Sequence, residues 1–209
     1  MKYPILMADI ENSRDKDSRL LMMQFKKVVV RTNKTFQKEL LSPLTITLGD
    51  EFQGITNSIE SGIQVIFAIE ELIIKYEFDI KLRYVLNFGE IDTKVNKKVA
   101  YEMLGTGLTE ARDSLNNLKK EDARFLIKLG DKTNAGYYVN RMFLIYQSIV
   151  DSWKPKDLKS VSEFLIYGDY KKVAKIIRTD ASSAWRRKKS LKINEFNSAK
   201  EIILFLATN

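Results

Sequence analysis

The sequence predicts an α+β protein with a basic, all-helical C-terminal part. Two observations carry this. Apolar residues switch between period 2 and period 3.6 in the order strand, helix, strand, strand, helix, strand over the first 90 residues. The excess positive charge then gathers in the last quarter: residues 152–209 hold 13 Lys/Arg against 6 Asp/Glu, a balance of +7 within a net +8 for the whole chain.

The elements follow in order. Tyr3-Pro4-Ile5-Leu6-Met7-Ala8-Asp9 reads as a short buried strand ending on an acid. Residues 16–41 read as one long helix, with Leu20, Met23, Val28, Phe36 and Leu40 near helical spacing and Ser42-Pro43 as its stop. Thr45-Ile46-Thr47-Leu48 alternates as a strand, Gly49-Asp50 is a two-residue hairpin signal, and Phe52–Ile55 runs back. Asn57 with Glu60 has the spacing of a capping box. Ile59, Ile63, Ile66, Ile69, Ile73 and Tyr76 stripe the next helix. From Ile80 the chain alternates, with Leu82, Tyr84, Leu86 and Phe88 on one face and Lys81, Arg83, Val85 and Asn87 on the other. This order is the split βαβ, ferredoxin-like arrangement: an antiparallel sheet with helices on one face and the other left open. A helix after Gly105-Thr106-Gly107, a strand near Arg124–Leu129 and a helix over 137–153 extend it. The Gly105–Gly107 pair reads as a turn. Trp153-Lys154-Pro155-Lys156 marks a boundary, giving an α/β domain over 1–153 and a helical one over 154–209.

Composition narrows the chemistry. The chain has no Cys and no His. Disulfides, thiolate zinc sites, cysteine nucleophiles and imidazole bases are excluded. Any metal must take oxygen ligands, which favours Mg²⁺, Mn²⁺ or Ca²⁺. The N-terminal apolar stretch is too short for a signal peptide, and no apolar run approaches the ~18 residues of a membrane span. A cytoplasmic protein with no membrane partner is expected.

In the split βαβ topology the first and third strands are neighbours, so the hairpin tip lies beside the end of the first strand. Asp9 and Asp50 would then share one end of the open sheet face. Two close carboxylates repel, and an oxygen-binding divalent cation is their natural partner. Bridged to a triphosphate, such a cation supports phosphoryl transfer. Structural roles are the alternative, with Asp9 capping a helix and Asp50 serving turn geometry. Glu51 is expected to point away from Asp50 by strand alternation.

Ala8-Asp9-Ile10, Leu48-Gly49-Asp50-Glu51-Phe52-Gln53-Gly54, and Arg83 with Gly89-Glu90 together resemble the class III nucleotide cyclase pattern. Over its whole length the chain looks most like the SatD family, which carries a Gly-Asp-Glu-Phe-Gln-Gly hairpin and a helix-turn-helix-like C-terminal region. The cyclase resemblance covers about residues 3–112. It implies metal ligands at Asp9 and Asp50, nucleotide contacts from Arg83 and Asn87, a nucleoside triphosphate ligand, and a transition-state arginine at Arg112. Asn87 stands where the cyclase strand has His, Val85 where it has Gly, and Leu108 where a cyclase has its transition-state Asn. The resemblance therefore points to binding more than to turnover.

Residues 157–167, 170–177, 181–191 and 196–207 read as four helices. The second and third, joined by Arg178-Thr179-Asp180, are similar to a bacterial helix-turn-helix. Ala174 sits at the close approach, Val173 and Ile177 form the core pair, and Arg178 stands at a turn position usually held by Gly. Trp185 is expected in the core. Ser182 and Ser183 near the start of the third helix, then Arg186, Arg187, Lys188 and Lys189, are the residue types that reach bases and phosphates. The basic run also fits a solvated helix face. The expected function is a DNA-binding regulatory protein of the SatD type with a cyclase-like, nucleotide- or metal-binding N-terminal domain; the alternatives are a divalent-metal-dependent nucleotide-converting enzyme and a non-catalytic interaction module. Both modules suggest a homodimer.

Overall fold

The computed structural model describes residues 1–13, 18–47, 49–130 and 134–208. Among the described residues, five strands and eight helices run in the order β1 (Lys2–Ile10), α1 (Ser18–Thr35), β2 (Leu40–Ile46), β3 (Glu51–Thr56), α2 (Ile59–Lys75), β4 (Leu82–Glu90), α3 (Thr106–Leu118), β5 (Phe125–Lys128), α4 (Ala135–Val150), α5 (Pro155–Tyr167), α6 (Tyr170–Ile176), α7 (Ala181–Ser190) and α8 (Ile193–Thr208). The sheet order is β2-β3-β1-β4-β5. The first four strands pair antiparallel in the split βαβ manner, and β5 adds in parallel beside β4, making the sheet mixed. No helix among the described residues is long and apolar enough to cross a membrane.

The sheet face expected to be open is covered. Leu6, Ala8, Ile10, Leu82, Tyr84 and Leu86 face the α1/α2 layer. Ile5, Met7, Ile55 and Val85 face the other way, onto Ala111, Leu115 and Leu118 of α3. The reason lies in β1, where Ile5-Leu6-Met7-Ala8 is apolar on both faces rather than alternating. Such a run requires cover on both sides. Helix α3, crossing between the parallel strands β4 and β5, supplies the second cover.

Several local expectations are corrected. The first helix ends at Thr35, and Ser42-Pro43 lies within β2 instead of stopping a helix. Proline is tolerated there because β2 is an edge strand whose register slips between Ser42 and Thr45. Asn33 ties α1 to that strand, its side chain donating to the Leu44 carbonyl and accepting from the Leu44 N–H, each at 2.8 Å. In the hairpin the Thr47 N–H bonds the Glu51 carbonyl at 2.9 Å, so three residues, not two, separate the paired positions. Leu48 lies outside the described residues. Ser58, not Asn57, caps α2, its hydroxyl accepting the Ser61 N–H at 3.0 Å. Asn57 instead donates to the Lys38 carbonyl at 2.6 Å.

The C-terminal helices pack on the helical face of the sheet layer. Phe196 of α8 meets Tyr146 and Trp153, with ring centroids 5.1 Å apart in each case. The Trp153 indole N–H donates to the Leu191 carbonyl at 2.8 Å. Val161, Phe164, Val173, Ala184 and Ile203 join the same apolar cluster as the strands. Asp169 and Asp180 cap α6 and α7, and Arg178 between them has φ 56°. Trp185 is not in the core: it is 45% exposed, with the Lys189 ammonium 4.0 Å above its ring. Ala184 takes the inward position beside it.

One polar network is sealed between the layers. The Arg124 guanidinium is buried, donates to the Leu82 carbonyl at 2.7 Å and pairs with Glu70 at 3.1 Å and Asp151 at 3.2 Å. Tyr84 donates its hydroxyl to Glu70 at 2.8 Å. Burial alone would lower the Arg124 pKa, but Glu70 and Asp151 outweigh it and raise it. A buried pair loses most when only one partner is removed. Arg124→Ala is expected to cost about 3–5 kcal/mol in urea denaturation, and the double change Arg124→Met/Glu70→Met to recover most of that loss.

Candidate nucleotide and cation site

The site begins with strand register. Asp9 of β1 stands opposite Glu51 of β3 and opposite Arg83 of β4. Directly opposed residues project to the same face, so these three form a row across the sheet end. The row lies on the face that α3 covers.

Helix α3 brings two more charges. Arg112 and Lys119 are seven residues apart, two helical turns, so they lie on one side of the helix axis. Arg112 pairs with Glu51. The Lys119 ammonium lies 3.1 Å from Asp9 Oδ2 and 3.5 Å from Glu51 Oε1. Arg83 Nε lies 3.2 Å from Asp9 Oδ1. The helix reaches this position because glycines meet at its start. A Cβ on Gly107 would stand 2.4 Å from the Gly89 carbonyl carbon. Asn87 fastens the contact, donating to the Gly107 carbonyl at 2.9 Å.

The charges are layered. The acids lie inside, with the Asp9 side chain 3% exposed, and the cations lie outward, with Arg112 31% and Lys119 36% exposed. Burial pushes the Asp9 carboxyl above its ordinary value, against the pull of Lys119 and Arg83. Although Asp9 Oδ1 and Arg83 Nε are within ion-pair range, both are buried and neither makes a hydrogen bond. A buried carboxylate oxygen without a hydrogen bond is costly, and it is one a ligand can satisfy.

Asp50 sits at the rim. Its backbone carbonyl accepts the Ile10 N–H at 3.0 Å, which places the hairpin against the end of β1. Its carboxylate accepts the Ser13 hydroxyl at 2.6 Å. Thus backbone pairing brings Asp9 and Asp50 to the same sheet end, while their carboxylates hold different partners. Among the described residues no three Asp or Glu side chains converge as a preformed metal centre. The groups at this end that could ligate a metal, on Asp9, Glu51, Asp50 and Ser13, are carboxylate or hydroxyl oxygens, the donor type of Mg²⁺ or Mn²⁺, and in the structure Arg83, Lys119 and Arg112 hold the first two acids.

The other sequence-derived residues are placed as follows. Arg83 joins the row, and Asn87 is buried beneath the start of α3 with its amide committed to that helix. Leu108 packs partly buried against the second core, an apolar place. Gly105-Thr106-Gly107 opens α3 where it seats on Gly89. In α7, Ser182 donates to the Asp180 carboxylate at 2.6 Å, and the Ser183 N–H donates to it at 2.8 Å. Arg187 pairs with Asp157, and Lys188 donates to the Gly168 carbonyl at 2.7 Å. Arg186 and Lys189 are exposed. Glu51 and Lys119 had no place in the sequence-based site. Counting alternation across the register from Asp9, rather than along the hairpin from Asp50, finds Glu51. Lys119 follows from Arg112 by two helical turns.

The mixed sheet with its crossover α3 defines an α+β protein with its charged site at one sheet end. Residues 3–203 match the SatD family, and the chain belongs to that family. No curated protein matches it. Among solved structures it is similar to the catalytic core of a rhodopsin-guanylyl cyclase in complex with ATPαS, at 16% identity and a TM-score of 0.41, over 56% of this chain and 73% of that one. It is also similar to a bacterial light-regulated adenylyl cyclase, at 10% identity and a TM-score of 0.45, over 60% of this chain and 74% of that one. A third is the guanylyl cyclase domain of a rhodopsin fusion protein from the aquatic fungus Blastocladiella emersonii, at 14% identity and a TM-score of 0.40, over 56% and 75%.

Proposed function

We propose that this SatD-family protein binds a nucleoside triphosphate with a divalent cation at the Asp9 end of its sheet. The observation that carries the reading is the buried Asp9 carboxylate, its Oδ1 facing Arg83 without a hydrogen bond, with two partly exposed cations, Arg112 and Lys119, at the same sheet end. Asp9 and Asp50 would hold the cation, and Arg112 and Lys119 would take phosphate oxygens. Arg83, the innermost base, keeps the balance of charge beneath them. A bound Mg²⁺ or Mn²⁺ would neutralise phosphate charge as a Lewis acid. Arg112 would be the side chain placed to stabilise charge in a nucleotide-converting reaction, unaided at Leu108. Calorimetry of ATP and GTP with Mg²⁺ tests the reading. Asp9→Asn and Asp50→Ala are each expected to weaken binding at least about tenfold, a loss of about 1.4 kcal/mol. Unchanged affinity in both variants, or no binding by the wild type, would refute it.

A second reading, DNA binding through α7, is favoured by the +7 balance of residues 152–209 and by the exposed Arg186 and Lys189. Ser182 would face the same groove, and two copies would address two half-sites. Arg187 and Lys188 are engaged by Asp157 and by the Gly168 carbonyl, so the expected electrostatic footprint is small. Arg186→Ala/Lys189→Ala should lower the slope of log affinity against log salt by about 2 in a gel-shift series. An unbound duplex at about 50 mM salt would end this reading.

A further inference from the structure

We propose that Lys119 is the site's own counter-ion, displaced from Asp9 and Glu51 when a divalent cation arrives and then passed to the phosphates. The inference rests on the nucleotide-and-cation reading above and assigns it a residue and an order of exchange.

The geometry distinguishes the three bases. Arg83 is the second residue of β4, its side chain only 12% exposed, and β4 lies between β1 and β5 in the sheet. Arg112 lies within α3, and its acidic partner among the described residues is Glu51. Lys119 follows the last residue of α3, is the most exposed of the three and spans both acids. Its ammonium is a compact charge with three donors on a flexible stem, and it holds no planar fork geometry. It is therefore the base that can leave at least cost.

Where it would go, and why, follows from charge. A lone ammonium 3.1 Å from Asp9 Oδ2 stands where a smaller, doubly charged ion would bind more closely. If Lys119 left with nothing in its place, Asp9 would be a buried acid lacking one of its two cations. That state is costly, so departure and cation arrival are linked. Glu51 keeps Arg112 throughout. A triphosphate brings the negative charge that the freed ammonium then pairs with. Metal alone must therefore compete with Lys119, whereas metal with triphosphate is helped by it.

The consequence is a pair of effects of opposite sign from one substitution. In the full-length chain, binding of Mn²⁺ alone is measured by the loss of its free EPR signal, and binding of the Mn²⁺–nucleotide complex by equilibrium dialysis of labelled ATP or GTP with Mn²⁺, because a triphosphate itself takes up the free ion. Lys119→Met is expected to tighten Mn²⁺ alone about tenfold and to weaken the Mn²⁺–nucleotide complex by a similar factor. Lys119→Arg, which keeps the charge, should leave Mn²⁺ alone as weak as in wild type. A structural ion pair would change neither affinity, or both in one direction; either result overturns the role of Lys119 while leaving the site intact, provided Asp9→Asn still weakens binding about tenfold or more. Absence of Mn²⁺ binding in wild type and Lys119→Met alike, with and without nucleotide, overturns the underlying reading as well.

Discussion

Everything at the candidate site depends on the row Glu51–Asp9–Arg83 that the pairing of β3, β1 and β4 draws across the sheet. A slip of one residue in either pairing would send one of these side chains to the opposite face. The apolar side chains on both faces of β1 oppose such a slip, because each would exchange one core for the other. Since β1 is apolar on both faces, it is the fit of each side chain to its own core that holds the charges in register.

The second layer of the site depends on how closely a helix can approach that row. Gly89 and Gly107 let α3 rest directly on β4, and Asn87 bonds it there. From that anchored start the helix brings Arg112 and, two turns further on, Lys119 over the acids. Burial of Asp9 is the cost of this cover, and it appears as the raised pKa of its carboxyl and as the oxygen left without a hydrogen bond. The protein meets part of that cost with its own cations. A bound divalent ion would meet it more fully.

Much of the sheet was legible. Alternation from Ile80 to Phe88 separated the two faces of β4, and the Gly49-Asp50 turn located the reversal between β2 and β3. Asp9 and Asp50 were placed at one end by topology, and the Ile10–Asp50 backbone bond brings them there. What escaped depended on contacts distant in sequence. The strand character of residues 40–43 needs an edge position and the side chain of Asn33, neither visible in local periodicity. The cover by α3 was signalled only by the unbroken apolar run in β1. Glu51 was judged against its neighbour Asp50, although its functional neighbour is across the strand. In the C-terminal part, helix limits followed caps at Asp169 and Asp180, but Trp185 and Ala184 adjoin in sequence and only packing decides which is buried.

The central claim concerns where a cation and a triphosphate settle. Crystals grown with Mn²⁺ and a non-hydrolysable nucleoside triphosphate, measured at the manganese absorption edge, test it most directly. The account predicts an anomalous peak between the carboxylates of Asp9 and Asp50, with the phosphates on Arg112 and Lys119. A peak at another place, or phosphates bound elsewhere while Lys119 still bridges Asp9 and Glu51, would contradict it.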